Sequence, residues 1–183
     1  AWMTSEFLDE MPPPTMAPAT LSRVPALQRL VLSSYMAPDQ GSTAGLLAEL
    51  SKLTALTMLV LGEGPLQLPL DAGAAAAYAS LTASSNLQAL TIREVRLPDG
   101  AWQHVFGSGK PLPRLQSLVL STSMDTGGWS KSYVDEGVLK AGAMTADNFA
   151  ALAPSCPGLT FLVLGSVYQA GTPLAPLLTR LTA

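Results

Sequence analysis

Five copies of the pattern Leu-x-x-Leu-x-Leu dominate this sequence, and isoleucine takes the third position in one copy. Their first leucines are Leu27, Leu56, Leu87, Leu115 and Leu159, so the intervals are 29, 31, 28 and 44 residues. The alternation at the end of each copy indicates a short strand, because successive strand side chains point to opposite faces. Recurrence at about 30 residues predicts a stack of similar units, each too small to bury its own apolar face.

Apolar residues upstream of the copies fall at helical spacing, so each unit should contain a strand, a loop and a helix. Stacking removes the leucine side chains of each unit from water. This burial stabilises the fold by about 1.5–3 kcal/mol per fully buried leucine. We therefore expect an α/β solenoid with a curved parallel sheet on its concave side and helices on its convex side. The helical residues are Leu46, Leu47, Leu50 and Leu53; Trp102, Val105 and Phe106; and Phe149 and Leu152.

These copies resemble the leucine-rich-repeat family, and the resemblance extends from Leu21 to Ala183. The long units are similar to the ribonuclease-inhibitor-like and cysteine-containing subclasses, and the segment 155–159 (Ser-Cys-Pro-Gly-Leu) is similar to a Cys-Pro-x-Leu phrase of the latter. The segment 53–57 (Leu-Thr-Ala-Leu-Thr) has a plant-like or algal character. The family usually has Asn or Cys three residues after the last strand leucine, whereas this chain has Tyr35, Gly64, Val95, Ser123 and Val167. We therefore predict irregular loops after the strands.

The domain organisation predicted from the repeat is an irregular N-terminal segment or cap over residues 1–20, followed by a repeat domain over 21–183. The long fourth interval predicts an insertion near 122–144. Its Trp129 and Tyr133 belong either to a partner-binding arm or to local packing. The segment 178–183 repeats the phrase at 50–55 and is not followed by a strand, which predicts a piece of a longer array.

Composition narrows the function classes. The net charge is −3 and the ten Lys and Arg residues form no basic run, which argues against nucleic-acid binding. No apolar stretch reaches the roughly 18 residues of a membrane-spanning helix. One cysteine and no glycosylation sequon favour an intracellular, cytoplasmic location, with an organelle or cilium left open. Charged residues make up only 13%, against roughly 25% in typical domains, which suggests a surface covered by neighbours.

Residues suited to catalysis are few. His104 should lie on a short helix capped by Asp99, and Cys156 should be a small buried hydrophobe. One Cys and one His cannot build a zinc site. The segment 107–110 (Gly-Ser-Gly-Lys) is not a phosphate loop, since His and Pro occupy positions 104 and 111. We expect no enzyme activity, no cofactor, no metal and no small-molecule substrate.

A protein partner is therefore the expected ligand, held on the concave face as a helix or an extended peptide. The residues that flank the strand leucines should point to this face. Their β-branched members also stabilise strand pairing, which is the alternative explanation of the pattern. The candidate partner-binding residues are Arg29, Val31, Met58, Val60, Thr91, Arg93, Val119, Phe161 and Val163.

Three functions fit these observations. The first is a scaffold or non-catalytic subunit of a larger intracellular assembly. The second, which the cysteine-containing subclass implies by resemblance, is substrate recognition in a ubiquitin ligase. It requires an F-box-like helical segment, and none is visible from Ala1 to Val24. The third is an extracellular receptor module, which predicts paired cysteines and sequons.

Overall fold

A computed structural model describes residues 21, 23–32, 40–62, 72–93, 97, 100–107, 111–121 and 144–165 of the chain. Several predictions concern residues outside these ranges: the N-terminal segment 1–20, nearly all of the insertion with Trp129 and Tyr133, and the segment 178–183. The five positions at which the family usually has Asn or Cys also lie outside the described residues.

Five strands form one parallel sheet in chain order. They are β1 (Arg29–Leu32), β2 (Met58–Leu61), β3 (Ala89–Arg93), β4 (Ser117–Ser121) and β5 (Phe161–Gly165). Each strand contains the second and third members of one Leu-x-x-Leu-x-Leu copy, and the register aligns these members across the sheet. The predicted α/β class with a parallel sheet is thereby confirmed.

The same turn precedes every strand. The N–H of the first leucine of each copy donates to the carbonyl three residues earlier, at 3.0–3.2 Å. Three of the five turns have proline at the second position, namely Pro25, Pro113 and Pro157. Proline favours this position because its ring already holds φ near the value that a type I or II turn needs. The first residues of the turns are Val24, Leu53, Ser84, Leu112 and Cys156.

Helical segments connect the strands: α1 (Gln40–Leu50), a 3₁₀ helix (Ala72–Thr82), α2 (Ala101–Phe106) and α3 (Ala146–Ser155). In the 3₁₀ helix Ala75, Tyr78 and Leu81 are buried at every third residue. This spacing suits three residues per turn, which aligns side chains three apart on one face. An ordinary α-helix would rotate the same three side chains progressively away from the sheet.

Two helices begin in different ways. The N-cap of α2 is Gly100, with φ of 79° and no side-chain cap of its own, and the predicted cap Asp99 lies outside the described residues. Helix α3 begins with an unpredicted capping box, in which the Thr145 hydroxyl accepts from Asn148 N–H and the Asn148 side chain accepts from Thr145 N–H. The capping box satisfies backbone groups that a helix start otherwise leaves free.

One apolar cluster joins the leucine side of the sheet to the helices. Leu90, Leu118 and Leu120 at the centre of the sheet have no solvent exposure, whereas Leu162 and Leu164 in β5 are only partly buried. The helix side contributes Leu46, Leu47, Leu50, Tyr78, Leu81, Trp102, Val105, Phe106, Phe149 and Leu152. Among the described residues, no helix covers the opposite side of the sheet. In these residues no helix is long and apolar enough to cross a membrane.

Candidate functional site

The candidate site is the side of the sheet opposite the helices, which we call the open face. It carries the residues that alternate with the buried leucines, because strand side chains alternate between faces. The register aligns these residues into columns across the five strands. The first column is Arg29, Met58, Ala89, Ser117 and Phe161, and the second is Val31, Val60, Thr91, Val119 and Val163.

Eight of the nine sheet residues predicted as partner-binding therefore occupy two neighbouring columns. The ninth, Arg93, lies in a third column, paired with Ser121 of β4. The structure brings together residues that are up to 134 positions apart in sequence, from Arg29 to Val163. Strand alternation and the spacing of the repeat were sufficient to identify these positions.

Exposure differs sharply along the second column. Val31 on β1 is 55% exposed and Val163 on β5 is 39% exposed, whereas Val119 on β4 is only 9% exposed. Val60 and Thr91 are half-buried. Phe161 in the first column is 54% exposed. Accessible apolar surface is therefore concentrated on the first and last strands, and a partner would contact Val119 little.

Gly62 directly follows β2 and lies beside Arg93 of the neighbouring strand β3, in the third column. It is buried, its φ is 131°, and its N–H donates to the carbonyl of Leu32. A Cβ at this position would clash with the carbonyl oxygen of Arg93. The backbone of β3 thus approaches Gly62 closely, and no side chain could occupy this position without moving one of the strands.

Polar contacts between units lie at the start of the strands. The hydroxyls of Thr57 and Thr160 donate to the carbonyls of Gln28 and Gln116, at 2.9 and 3.2 Å. Each bond joins one unit to the next, and the carbonyls involved also accept two backbone N–H groups from the following unit. This row was not predicted from the sequence, although both strands are directly preceded by a threonine.

A second set of such bonds lies in the turns. The hydroxyl of Ser84 donates to the carbonyl of Leu56 at 2.7 Å, and the Asn86 amide donates to the carbonyl of Thr54 at 3.1 Å. Arg114 of the next unit donates to Asn86 Oδ1 at 2.8 Å. The bonds from Ser84 and Asn86 satisfy backbone carbonyls that the turns leave without a backbone partner, and all three bonds tie consecutive units together.

The groups that could take part in chemistry are placed as follows. Cys156 is buried in the turn before β5, and desolvation raises its pKa from 9.0 to about 12, so the thiol stays protonated at neutral pH. His104 lies half-buried in the last turn of α2. Among the described residues no group of three His, Cys, Asp or Glu side chains could hold a metal ion.

A cleft of about 400 Å³ lies on the helix side, lined by Phe106, Gly107, Pro111, Ala151, Pro154 and Ser155. The hydroxyl of Ser155 is already used, since it donates to the carbonyl of Phe106. The described lining therefore provides shape but little polar recognition, in contrast to ligand pockets with several convergent polar groups.

Searches of protein families, of curated proteins and of solved structures found no match to this chain.

Proposed function

We propose that this chain is a leucine-rich-repeat solenoid of the ribonuclease-inhibitor-like or cysteine-containing type, and that it holds a protein partner on the open face. In this proposal it is a scaffold or non-catalytic subunit of a larger intracellular assembly. The resemblance of the five sequence copies supports the family. The in-phase alignment of the copies in one parallel sheet is the arrangement that a solenoid requires.

The observation that carries the proposed binding function is the exposure of large apolar side chains on the open face. Val31, Phe161 and Val163 are each between 39% and 55% exposed, and all three project from the same side of one sheet. Single exposed apolar residues are ordinary, but Phe161 and Val163 lie two residues apart on β5 and Val31 is in the same column as Val163, an arrangement that favours an interface. Burying such side chains under a partner would stabilise the complex by roughly 25 cal/mol per Å² of apolar surface.

The experiment compares partner retention by the full chain and by two variants. The test variant combines Val31→Asp with Val163→Asp, and its side chains are exposed enough to accept a charge without disturbing the core. The control is Val24→Asp, because Val24 is 45% exposed but lies in the turn before β1, outside the strands. Val119 is unsuitable, since its burial would confuse loss of binding with loss of folding.

The tagged chains are purified from cells, and co-purifying proteins are quantified by mass spectrometry. We expect the double variant to lose proteins that the original chain and Val24→Asp retain, with all three chains unfolding at similar denaturant concentrations. Retention of the same proteins by the folded double variant would contradict binding on the open face.

A further inference from the structure

Among the described strand residues, those that project from the open face include two cations and no Asp or Glu. Arg29 begins β1 and Arg93 ends β3, and both are exposed. None of the strand residues that project from this face is Asp or Glu, although the whole chain has 13 acidic residues and a net charge of −3. In the described part of the chain the one ion pair joins Lys52 and Glu49 near the end of α1, away from the sheet. The described strand residues of the open face thus carry positive charge, whereas the chain as a whole is negatively charged.

The two arginines are separated in both directions of the sheet. They lie two strands apart, which corresponds to about 10 Å at the usual strand spacing. Arg29 is aligned through Met58 with Ala89, and Arg93 follows Ala89 by four residues, or about 13 Å along β3. Arg29 therefore lies near the edge of the face where the strands begin, and Arg93 lies near the edge where they end. Half-buried Thr91 and Val60 lie between them. This arrangement can contact two separate carboxylates on one ligand.

The apolar part of the face lies beside these cations. Val31 follows Arg29 by two residues on the same strand, and Phe161 and Val163 lie two strands beyond β3. A ligand that crosses all five strands would span about 19 Å, which equals roughly 13 residues of α-helix. Such a ligand would contact apolar side chains at both of its ends. One guanidinium group would lie along each of its two long sides.

From this juxtaposition we infer that the partner segment on the open face is an acidic amphipathic peptide. Its apolar residues cover Val31 and the pair Phe161 and Val163, and its Asp or Glu residues bind Arg29 and Arg93. Arginine suits this role because its planar guanidinium can donate two parallel hydrogen bonds to one carboxylate. A nucleic acid fits poorly, since phosphate backbones require a row of cations and are repelled by an acidic chain. The inference rests on the proposed function, because it describes the ligand of the same face.

The test is selection of a phage-displayed library of random peptides, about 13 residues long to match the span of the sheet. The library is selected in parallel on the full chain, on Arg29→Glu with Arg93→Glu, and on Arg23→Glu as the matched control. Arg23 is exposed but precedes the sheet. We expect peptides selected on the full chain and on Arg23→Glu to be enriched in Asp and Glu among apolar residues. The double variant should select Lys and Arg instead, and should bind the acidic peptides roughly tenfold more weakly at low salt.

Each outcome identifies which claim fails. If the selected peptides are lost with Val31→Asp and Val163→Asp but show no acidic enrichment, the open face binds peptides and the inferred charge preference is wrong. If the peptides bind the Val31→Asp and Val163→Asp variant unchanged, the proposed function itself is wrong. Binding of a single-stranded oligonucleotide that depends on Arg29 and Arg93, without acidic peptide enrichment, would also overturn the inference.

Discussion

The hydroxyl of Ser155 donates to the backbone carbonyl of Phe106 at 2.6 Å, although the two residues are 49 positions apart. Phe106 is the last residue of α2, and its carbonyl has no partner within that helix. The neighbouring carbonyl of Val105 accepts from the hydroxyl of Thr82 at 2.8 Å. Two buried hydroxyls, one from the unit before and one from the unit after, therefore cap this short helix.

The first prediction concerns these two hydroxyls. Ser155→Ala and Thr82→Val should each lower the free energy of unfolding by about 1–3 kcal/mol, because each leaves a buried carbonyl without a donor. Chemical denaturation followed by circular dichroism measures the change. Ser51→Ala is the control, since the Ser51 hydroxyl also donates to a carbonyl, that of Ala48, but is exposed to water. Equal losses for Ser155→Ala and Ser51→Ala would show that burial of the bond is unimportant.

The second prediction concerns Tyr78, which is fully buried and whose hydroxyl has no hydrogen-bond partner among the described residues. Tyr78→Phe removes the unpaired hydroxyl and keeps the ring, so the unfolding free energy should be unchanged or higher. Tyr78→Ala should cost about 3–5 kcal/mol, because it leaves a cavity between the 3₁₀ helix and the sheet. A large loss of stability in Tyr78→Phe would reveal a hydrogen bond that the hydroxyl makes in solution.

The third prediction compares two glycines with positive φ. Gly62→Ala should cost about 2–4 kcal/mol, because the new methyl group would clash with the carbonyl of Arg93 and the backbone is also strained. Gly100→Ala should cost only about 1 kcal/mol, since its φ is 79° but no atom lies within 4 Å of the new Cβ. Thermal unfolding of both variants separates the clash from the backbone preference. Similar midpoints for the two variants would mean that β2 and β3 are not packed this closely at Gly62.

The fourth prediction concerns Cys156 and alkaline pH. Its pKa is raised from 9.0 to about 12 by burial, so the unfolded chain loses this proton at lower pH than the folded chain. Ionisation of Cys156 therefore does not lower the free energy of unfolding below about pH 9. It lowers this free energy progressively as the pH rises from about 9 to 12. Cys156→Ala should flatten the fall of the denaturation midpoint over this range.

Tyr78 also contributes to this fall, because desolvation raises its pKa. Measurements on Cys156→Ala in a Tyr78→Phe background separate the two groups. In the original chain, a thiol reagent such as DTNB should label Cys156 at pH 8 only after denaturant is added. Rapid labelling of the folded chain would contradict burial of the thiol.

The positions of the strands, and the residues that share a face, follow from the repeat pattern alone. Two facts sufficed: strand side chains alternate, and five copies of one pattern align when similar units stack. Arg29, Val31, Phe161 and Val163 could therefore be assigned to one surface from the sequence. The order of the strands followed as well, because each unit pairs with the next one along the chain.

Which of these residues a partner could reach depends on how the units pack against one another in three dimensions. Val31 and Val119 have the same place in their copies, yet one is 55% exposed and the other 9%. The difference depends on what surrounds each side chain, and local sequence does not contain that information. The same holds for the bonds from Thr82 and Ser155 to α2 and for the close approach at Gly62. Each joins residues from different units, so it exists only once the units have stacked.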